Sequence, residues 1–273
     1  MVGPVRVRVP ATIANLGPGF DVLAMAVDIW LEVEAEPAGE EAWTFRGEGA
    51  DWLPGSEHPF SGLAMRGKVR NDIPVGVGMG SSAAARVASL ALRGVKGREL
   101  LARAAALEGH PDNAAAAVRG GVVAVVGSDV HKLPLPRLDI AIFAVAERVP
   151  TEAARAVLPR RVDRDDAVFN AARLALLVRA LHSRRYELLG EALEDRLHQP
   201  YRAKLYPWLA SALAAAREAG AHGAALAGAG PSVVAFAPSG WGARVGKAMQ
   251  KAAGVEGRVI VTRPVRKGLE VRK

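Results

Sequence analysis

The chain has 273 residues, half of them apolar and 23% charged, with a net charge of +8, which reads as a globular chain suited to anionic ligands. That length allows one large or two modest domains with proper cores, and no apolar run is long enough to span a bilayer. The complete lack of cysteine excludes disulfides, thiolate metal sites and a cysteine nucleophile, and makes a cytoplasmic location the simplest expectation. Nucleic acid is not an expected partner, because the basic residues are spread along the chain with little aromatic interleaving for base stacking.

Val5 to Val9 alternates apolar and basic residues and is expected to be a half-exposed strand that Pro10 stops. Ala14 to Phe20 is dense in turn formers, Asp21 follows, and Val27 to Glu34 alternates again as a strand. A loop between two strands therefore carries Asn15 and Asp21 at its ends. Both residue types also cap turns and helices, and on the residues alone either role stands equally. Residues 36–70 are weakly patterned and read as an irregular hairpin with a short helix around Ser61 to Lys68.

The densest chemical signal is the stretch from Asp72 to Arg93. Pro74, Val75, Gly76, Val77, Gly78, Met79 and Gly80 place glycine at alternate positions; Ser81, Ser82, Ala83 and Ala84 then open an amphipathic helix. Glycine permits positive φ and close backbone approach, so such a turn aims several N–H groups and a helix dipole at one spot suited to phosphate. The serine hydroxyls could cap the helix or reach a metal bound to that phosphate. The spacing is neither G-x-x-x-x-G-K-[ST] nor G-x-G-x-x-G, so a plain tight turn is the alternative.

A second helix is expected from Arg98 to Leu107. It ends in Glu108, Gly109, His110, Pro111, Asp112 and Asn113, which packs two carboxylates, an imidazole and an amide into six residues. Helix capping explains part of this cluster, and a loop carrying Glu, His and Asp also reads as a site. Val122 to Val126 and Leu138 to Val145 read as buried strands, separated by a boundary at Pro134 to Pro136. Thr151 is a plausible N-cap with Arg155 a turn later. Residues 166–196 are strongly helical, His198 to Arg202 breaks that pattern, and Pro207 to Ala219 is helical again. A second glycine-rich stretch runs from Gly223 through Gly228 and Gly230 to Ala237, before a helix from Trp241 to Ala253 and a last strand from Arg258 to Val265. Strands and helices alternate in both halves, so the expected class is α+β with two lobes.

Three motifs stand in fixed order: Pro10 to Ala26 (PATIANLGPGFDVLAMA), Pro74 to Ala85 (PVGVGMGSSAAA) and Gly223 to Ala237 (GAALAGAGPSVVAFA). Together they resemble the GHMP small-molecule kinases. Residues 108–113 (EGHPDN), 149–159 (VPTEAARAVLP) and 198–207 (HQPYRAKLYP) are similar to the homoserine kinases of that family, and the H-G-x-P-S-G-x-D pattern of mevalonate kinases is absent. The resemblance implies ATP-dependent phosphorylation of the L-homoserine hydroxyl to O-phospho-L-homoserine, a step of threonine biosynthesis. It also implies a two-lobed GHMP kinase fold: an ATP-binding lobe over residues 1–135, like ribosomal protein S5 domain 2, and a ferredoxin-like substrate and lid lobe over residues 136–273. A homodimer is a further expectation.

Residues 74–84, with Gly228 and Gly230, are then expected around the ATP phosphates. Ser82 is the expected Mg2+ ligand, with Ser81 the fallback. Where the family's glutamate ligand lies eight residues before the histidine, this chain has Ala102, so Glu108 is the nearest candidate and Glu99 the next. A zwitterionic substrate needs both signs of charge. Asp21 suits its ammonium, and Arg155 and Arg202 suit its carboxylate. Asn15, His110, Asn113 and Thr151 would complete the hydrogen bonds, with Asn15 near the reacting hydroxyl. Asp112 is either the general base or the residue that orients the loop. Shikimate and mevalonate carry a carboxylate but no ammonium, so Asp21 argues against both as acceptors. The intact glycine loop and serines argue against a catalytically silent, ligand-sensing relative.

Overall fold

A computed structural model describes residues 4–50 and 58–272, which form two sheets and the helices packed on them. The first sheet is built on β1 (Val5–Ala14) and β2 (Leu23–Pro37), antiparallel from Val5 opposite Ala35 to Ala14 opposite Ala24. Pro10 does not stop β1. The register shifts between Pro10 and Ala11, and that irregularity accommodates a residue with no N–H to donate. β1 thus runs on to deliver Asn15 directly from a buried strand end.

The long β2 pairs through its second half with β4 (Met65–Asn71), which lies parallel to β3 (Ala42–Gly47). Residues 61–68 are therefore not a helix. Gly67, Val69 and Asn71 are buried while Arg66, Lys68 and Arg70 are exposed, a period of two. Gly67 also sits against the Trp43 ring, which a Cβ there would overlap. The start of β2 pairs with β5 (Val122–Val126), and β5 pairs with β6 (Asp129–Leu133). On the other edge β11 (Glu270–Arg272) lies beside β1. Before it, Arg263 and Val265 already bond to the backbone of Asp28, Ala26 and Gly121, so the chain's last described segment belongs to the first sheet.

Two helices pack against β1 and β2, α1 (Ser81–Leu92) and α3 (Asp112–Arg119), and a third, α2 (Gly97–Glu108), packs on both of them. Their buried positions are largely alanine, Ala83, Ala84 and Ala88 in α1 and Ala114 to Ala117 in α3. Such small side chains let the helix axes approach the strands closely. The larger side chains Val87 and Leu100 anchor the packing, each contributing about 1.5–3 kcal/mol on burial.

The second sheet is antiparallel throughout, in the order β10 (Gly257–Thr262), β7 (Asp139–Val145), β9 (Val233–Ala237), β8 (Gly223–Leu226), the ferredoxin-like arrangement. β7 serves two cores. Ala141, Phe143 and Val145 face α8 (Leu209–Glu218) and α9 (Gly242–Ala253), while Ile140, Ile142 and Ala144 join the core shared with the first sheet. That double burial explains the unbroken apolar run IAIFAV.

Between β7 and α8 the described chain forms four further α-helices: α4 (Thr151–Ala156), α5 (Arg164–Ser183), α6 (Leu189–Ala192) and α7 (Gln199–Arg202). The helix expected over 166–196 breaks at Arg184, which takes a left-handed φ of 55°. Thr151 is the first residue of α4 and makes no side-chain cap; Pro150 holds the cap position. No described helix is long and apolar enough to cross a membrane.

Candidate active site

The glycine stretch leaves β4 through a turn held by Asn71. Its Nδ2 donates to the carbonyls of Glu48 (2.9 Å) and Ile73 (3.1 Å), and its Oδ1 accepts from Ile73 N (3.0 Å). Gly78 and Gly80 have φ of 83° and 68°. A Cβ on Gly78 would overlap the Ala227 carbonyl, and one on Gly80 would overlap Thr12 Oγ1. Both positions thus need glycine for conformation and for space. The loop is clamped between β1 and the second glycine stretch, with Thr12 N donating to Met79 O at 3.1 Å.

Gly80 is the cap residue of α1, with no side-chain cap and no acidic residue in the first turn. Neither serine caps the helix, so the N–H groups of the first turn remain available. They face the cleft together with the positive end of the helix dipole, an anion site of the ordinary kind. Ser82 points elsewhere: its Oγ donates to Glu108 Oε1 at 2.8 Å. The Glu108 side chain is only 9% exposed, and Arg86, one turn beyond Ser82, lies 2.8 Å from the same oxygen and donates to Leu107 O. Glu99, by contrast, is exposed and paired with Arg103. Ser82 and Glu108 are therefore the adjoining hard oxygen donors, of the kind Mg2+ takes. Asp21, His110 and Asp112 also bring ligand atoms within 4.8 Å of one another; like Glu108 with Arg86, these groups are paired within the protein.

The opposite wall is made of side chains from distant segments. Asn15, Leu16 and Asp21 have positive φ (71°, 48° and 55°), unusual for residues with a Cβ. Tertiary bonds hold this loop. Asn15 Nδ2 donates to Gly228 O (2.8 Å), Asn15 Oδ1 accepts from Asp21 N (3.2 Å), and a Cβ on Gly17 would overlap the Leu193 carbonyl. Arg155 forks onto Asp21 through Nη2–Oδ1 (2.6 Å) and Nη1–Oδ2 (3.1 Å), and Asp21 raises the guanidinium's proton affinity. Both are about one-third exposed (35% and 33%), so this ion pair is of modest strength and open to exchange.

Arg202 is buried. Its Nε donates to Ala154 O (3.1 Å) and its Nη1 lies 3.1 Å from both Gly228 O and His198 Nδ1. Burial, then the nearby Arg155, disfavours its charge, so an added anion is welcome there. His110 Nδ1 lies 2.7 Å from Asp112 Oδ1, and this hydrogen bond holds the imidazole above its ordinary pKa against the effect of burial. The same Asp112 oxygen accepts from Asn113 N at 2.6 Å, and Asn113 Oδ1 accepts from Thr12 Oγ1 at 2.7 Å.

One cleft of about 650 Å³, counted out to bulk solvent, unites these groups. Its enclosed part is only about 100 Å³. Asn15, Asp21, His110, Asp112 and Asn113 line it, as do Thr151, Arg155 and Arg202. On the loop side it is lined by Gly76, Gly78, Met79, Gly80, Ser81 and Ser82, with Glu108, Gly228 and Gly230. Pro74, Val75 and Val77 line a second cavity beside Arg148, and Ala83 and Ala84 are buried in the core. Sequence reasoning missed Thr12, Phe20, Arg86 and His198. Thr12 and Phe20 lay inside a quoted motif, and His198 stood at the pattern break before Arg202.

Residues 54–121 match the family model for the GHMP kinases N terminal domain, and residues 177–255 match that for GHMP kinases C terminal. A homoserine kinase of Thermus thermophilus is 47% identical over 276 residues, covering 94% of each chain. One from Moorella thermoacetica is 41% identical, covering 90% of this chain and 91% of its own. Among solved structures, homoserine kinase from Cytophaga hutchinsonii superposes with a TM-score of 0.86 at 28% identity, covering 100% of this chain and 98% of that one. A mevalonate kinase at 15% identity superposes with a TM-score of 0.69, a likeness of fold.

Proposed function

The chain belongs to the GHMP kinase family, and we infer that it transfers the γ-phosphoryl group of ATP to the side-chain hydroxyl of L-homoserine. The products are ADP and O-phospho-L-homoserine. The observation that carries this reading is the two-sided cleft. Backbone N–H groups and a helix N-terminus form one wall, and Asp21 with Arg155 and Arg202 forms the other.

The N–H groups around Gly78 to Ser82 receive the phosphates, and Gly228 and Gly230 close the loop from the far side. Ser82 and Glu108 are the residues that would hold Mg2+; when bound, the ion neutralises phosphate charge. Asp21 keeps lone pairs beyond those Arg155 occupies and takes the substrate ammonium. Arg155 and the Nη2 side of Arg202 take the carboxylate, a geometry suited to guanidinium. These contacts fix the amino-acid end and direct the hydroxyl toward the γ-phosphorus, with Asn15, Asn113 and Thr151 beside it. The hydroxyl oxygen forms the new P–O bond as the bond to the β–γ bridging oxygen breaks, and the hydroxyl proton leaves to a transferred phosphoryl oxygen and from there to solvent. Asp112 serves as the residue that orients His110, since its Oδ1 is committed to His110 and Asn113 N. Positioning and charge neutralisation then supply the rate enhancement, without a dedicated base.

We extend the reading to residues 1–135 as the ATP lobe and 136–273 as the substrate lobe, whose last segment from Arg263 returns to the first sheet, in a cytosolic enzyme that sedimentation would show to be a dimer. The function itself is tested by ATP consumption over L-homoserine, mevalonate, shikimate and galactose. Turnover on homoserine is expected. Turnover only on another alcohol would keep the family and overturn the substrate, and no turnover on any would point to a silent relative.

A further inference from the structure

Beneath Arg202 lies an imidazole that the phosphoryl transfer does not touch. His198 is fully buried. Its Nε2 faces the Gly17 carbonyl at 2.8 Å, with the Asp195 carboxylate at 3.5 Å, so that nitrogen faces acceptors. Its Nδ1 faces Arg202 Nη1 at 3.1 Å, and a guanidinium can only donate. The surroundings therefore settle the tautomer: the proton is on Nε2, and Nδ1 is the acceptor. Burial holds the imidazole below its ordinary pKa, in keeping with the uncharged ring.

Three observations show that this position is built. Asp195 accepts from the backbone N of Leu197 (2.9 Å), His198 (3.0 Å) and Gln199 (2.6 Å), which fixes the start of α7. Phe20 stacks on the imidazole with centroids 5.4 Å apart, and the guanidiniums of Arg155 and Arg202 lie 5.6 and 5.5 Å from the same ring. Gly17, whose carbonyl His198 holds, stands in the left-handed run of Asn15, Leu16 and Gly17, where backbone strain requires outside support. One imidazole thus joins the loop that carries Asp21 to the arginine of the opposite lobe.

We propose that His198, with its proton on Nε2, is the positioning residue that aims the Arg202 guanidinium at the substrate carboxylate, its bond to the Gly17 carbonyl setting the tautomer of the ring. The inference rests on the assignment of Arg202 to that carboxylate. It makes acceptance of the substrate's amino-acid end a property of the His198–Arg202 pair, rather than of the arginine alone.

The two bonds can be removed separately. His198→Gln keeps a donor near the Nε2 position for Gly17 O and loses the acceptor for Arg202. His198→Asn keeps an acceptor near the Nδ1 position and loses the bond to Gly17. His198→Gln is expected to raise the KM for L-homoserine by about tenfold or more, the scale of a hydrogen bond to a charged group, with the KM for ATP unchanged. His198→Asn is expected to stay within about threefold of wild type for homoserine. Equal changes in both variants, or a parallel rise in the KM for ATP, would overturn the proposal and leave His198 a structural residue. Arg202→Lys is measured alongside. If it leaves the homoserine KM unchanged, the assignment of Arg202 itself fails; if it raises that KM while His198→Gln does not, only the role of His198 fails. Nitrogen NMR of the unaltered protein gives an independent reading. An unprotonated Nδ1 and a protonated Nε2 are expected at neutral pH, and the opposite tautomer or an imidazolium would contradict the proposal.

Discussion

The two walls of the cleft are made in different ways. The wall proposed for phosphate is one contiguous stretch, Gly76 to Ser82, distinguished by backbone geometry: positive φ, close approach and N–H groups without a side-chain cap at the start of α1. The wall proposed for the substrate is assembled from the ends of β1, α3, α4 and α7 and is distinguished by side-chain charge. Backbone geometry is encoded locally, by glycine at the positions where a Cβ would collide. Charge constellations are encoded only by the fold, which brings Asp21 and Arg155 within 2.6 Å across 134 residues of chain.

The sharpest way to break the first wall is Gly78→Ala. The new Cβ would meet the rigid Ala227 carbonyl at a φ of 83°, combining left-handed strain with overpacking, together about 2–6 kcal/mol. Thermal melts should show the loss, and ATP-dependent turnover should fall more than about a hundredfold. Gly76→Ala provides the contrast. There a Cβ would meet only the flexible Arg148 side chain at 3.3 Å, so about 1–3 kcal/mol of strain remains. Equal losses at the two positions would refute the close-approach argument.

On the second wall, Asp21→Asn removes the only negative charge assigned to the ammonium. The KM for homoserine should rise about ten- to a hundredfold, with the KM for ATP unaffected. A rise in both constants would mean that the loop, rather than the charge, had been lost. A smaller effect is expected from Asp112→Asn. Turnover should fall less than about tenfold, roughly 1.4 kcal/mol in barrier, because the residue orients His110. A larger fall would restore Asp112 as the base.

The smallest effect is on pH dependence. Asp112 raises the His110 pKa above its ordinary 6.5. A base raised in the folded state contributes stability that is fully present below 6.5 and lost as pH rises through the folded value. Wild type should therefore exceed Asp112→Asn in stability more at pH 6 than at pH 9, and the His110 NMR titration should move down in the variant. A pH-independent difference would contradict the pairing.

The same contrast explains what was legible in the sequence. The glycine loop and its helix, α2 and the buried strands β5 and β7 follow from period and turn chemistry within a few residues. Pro10 misled because a bulge accommodated it, and residues 61–68 because Gly67 was spaced for Trp43 rather than for a helix turn. Spacing did not separate Glu108 from Glu99; in the fold Glu108 lies 2.8 Å from Ser82, while Glu99 is exposed and paired with Arg103. Asp21, Arg155 and Arg202 were reached through a resemblance to known motifs, since nothing local to any of them reports the other two. His198 stood at the pattern break before Arg202, but its bond to Gly17, 181 residues away, was not legible locally.

The central claim is that side chains of both signs read the amino-acid end of the substrate while the backbone loop reads phosphate. Phosphorylation kinetics with L-homoserine, 4-hydroxybutyrate (no ammonium) and 3-aminopropan-1-ol (no carboxylate) test it most directly. Each truncated alcohol should lose about a hundredfold or more in kcat/KM with the KM for ATP unchanged. Comparable kcat/KM for all three alcohols would contradict the claim.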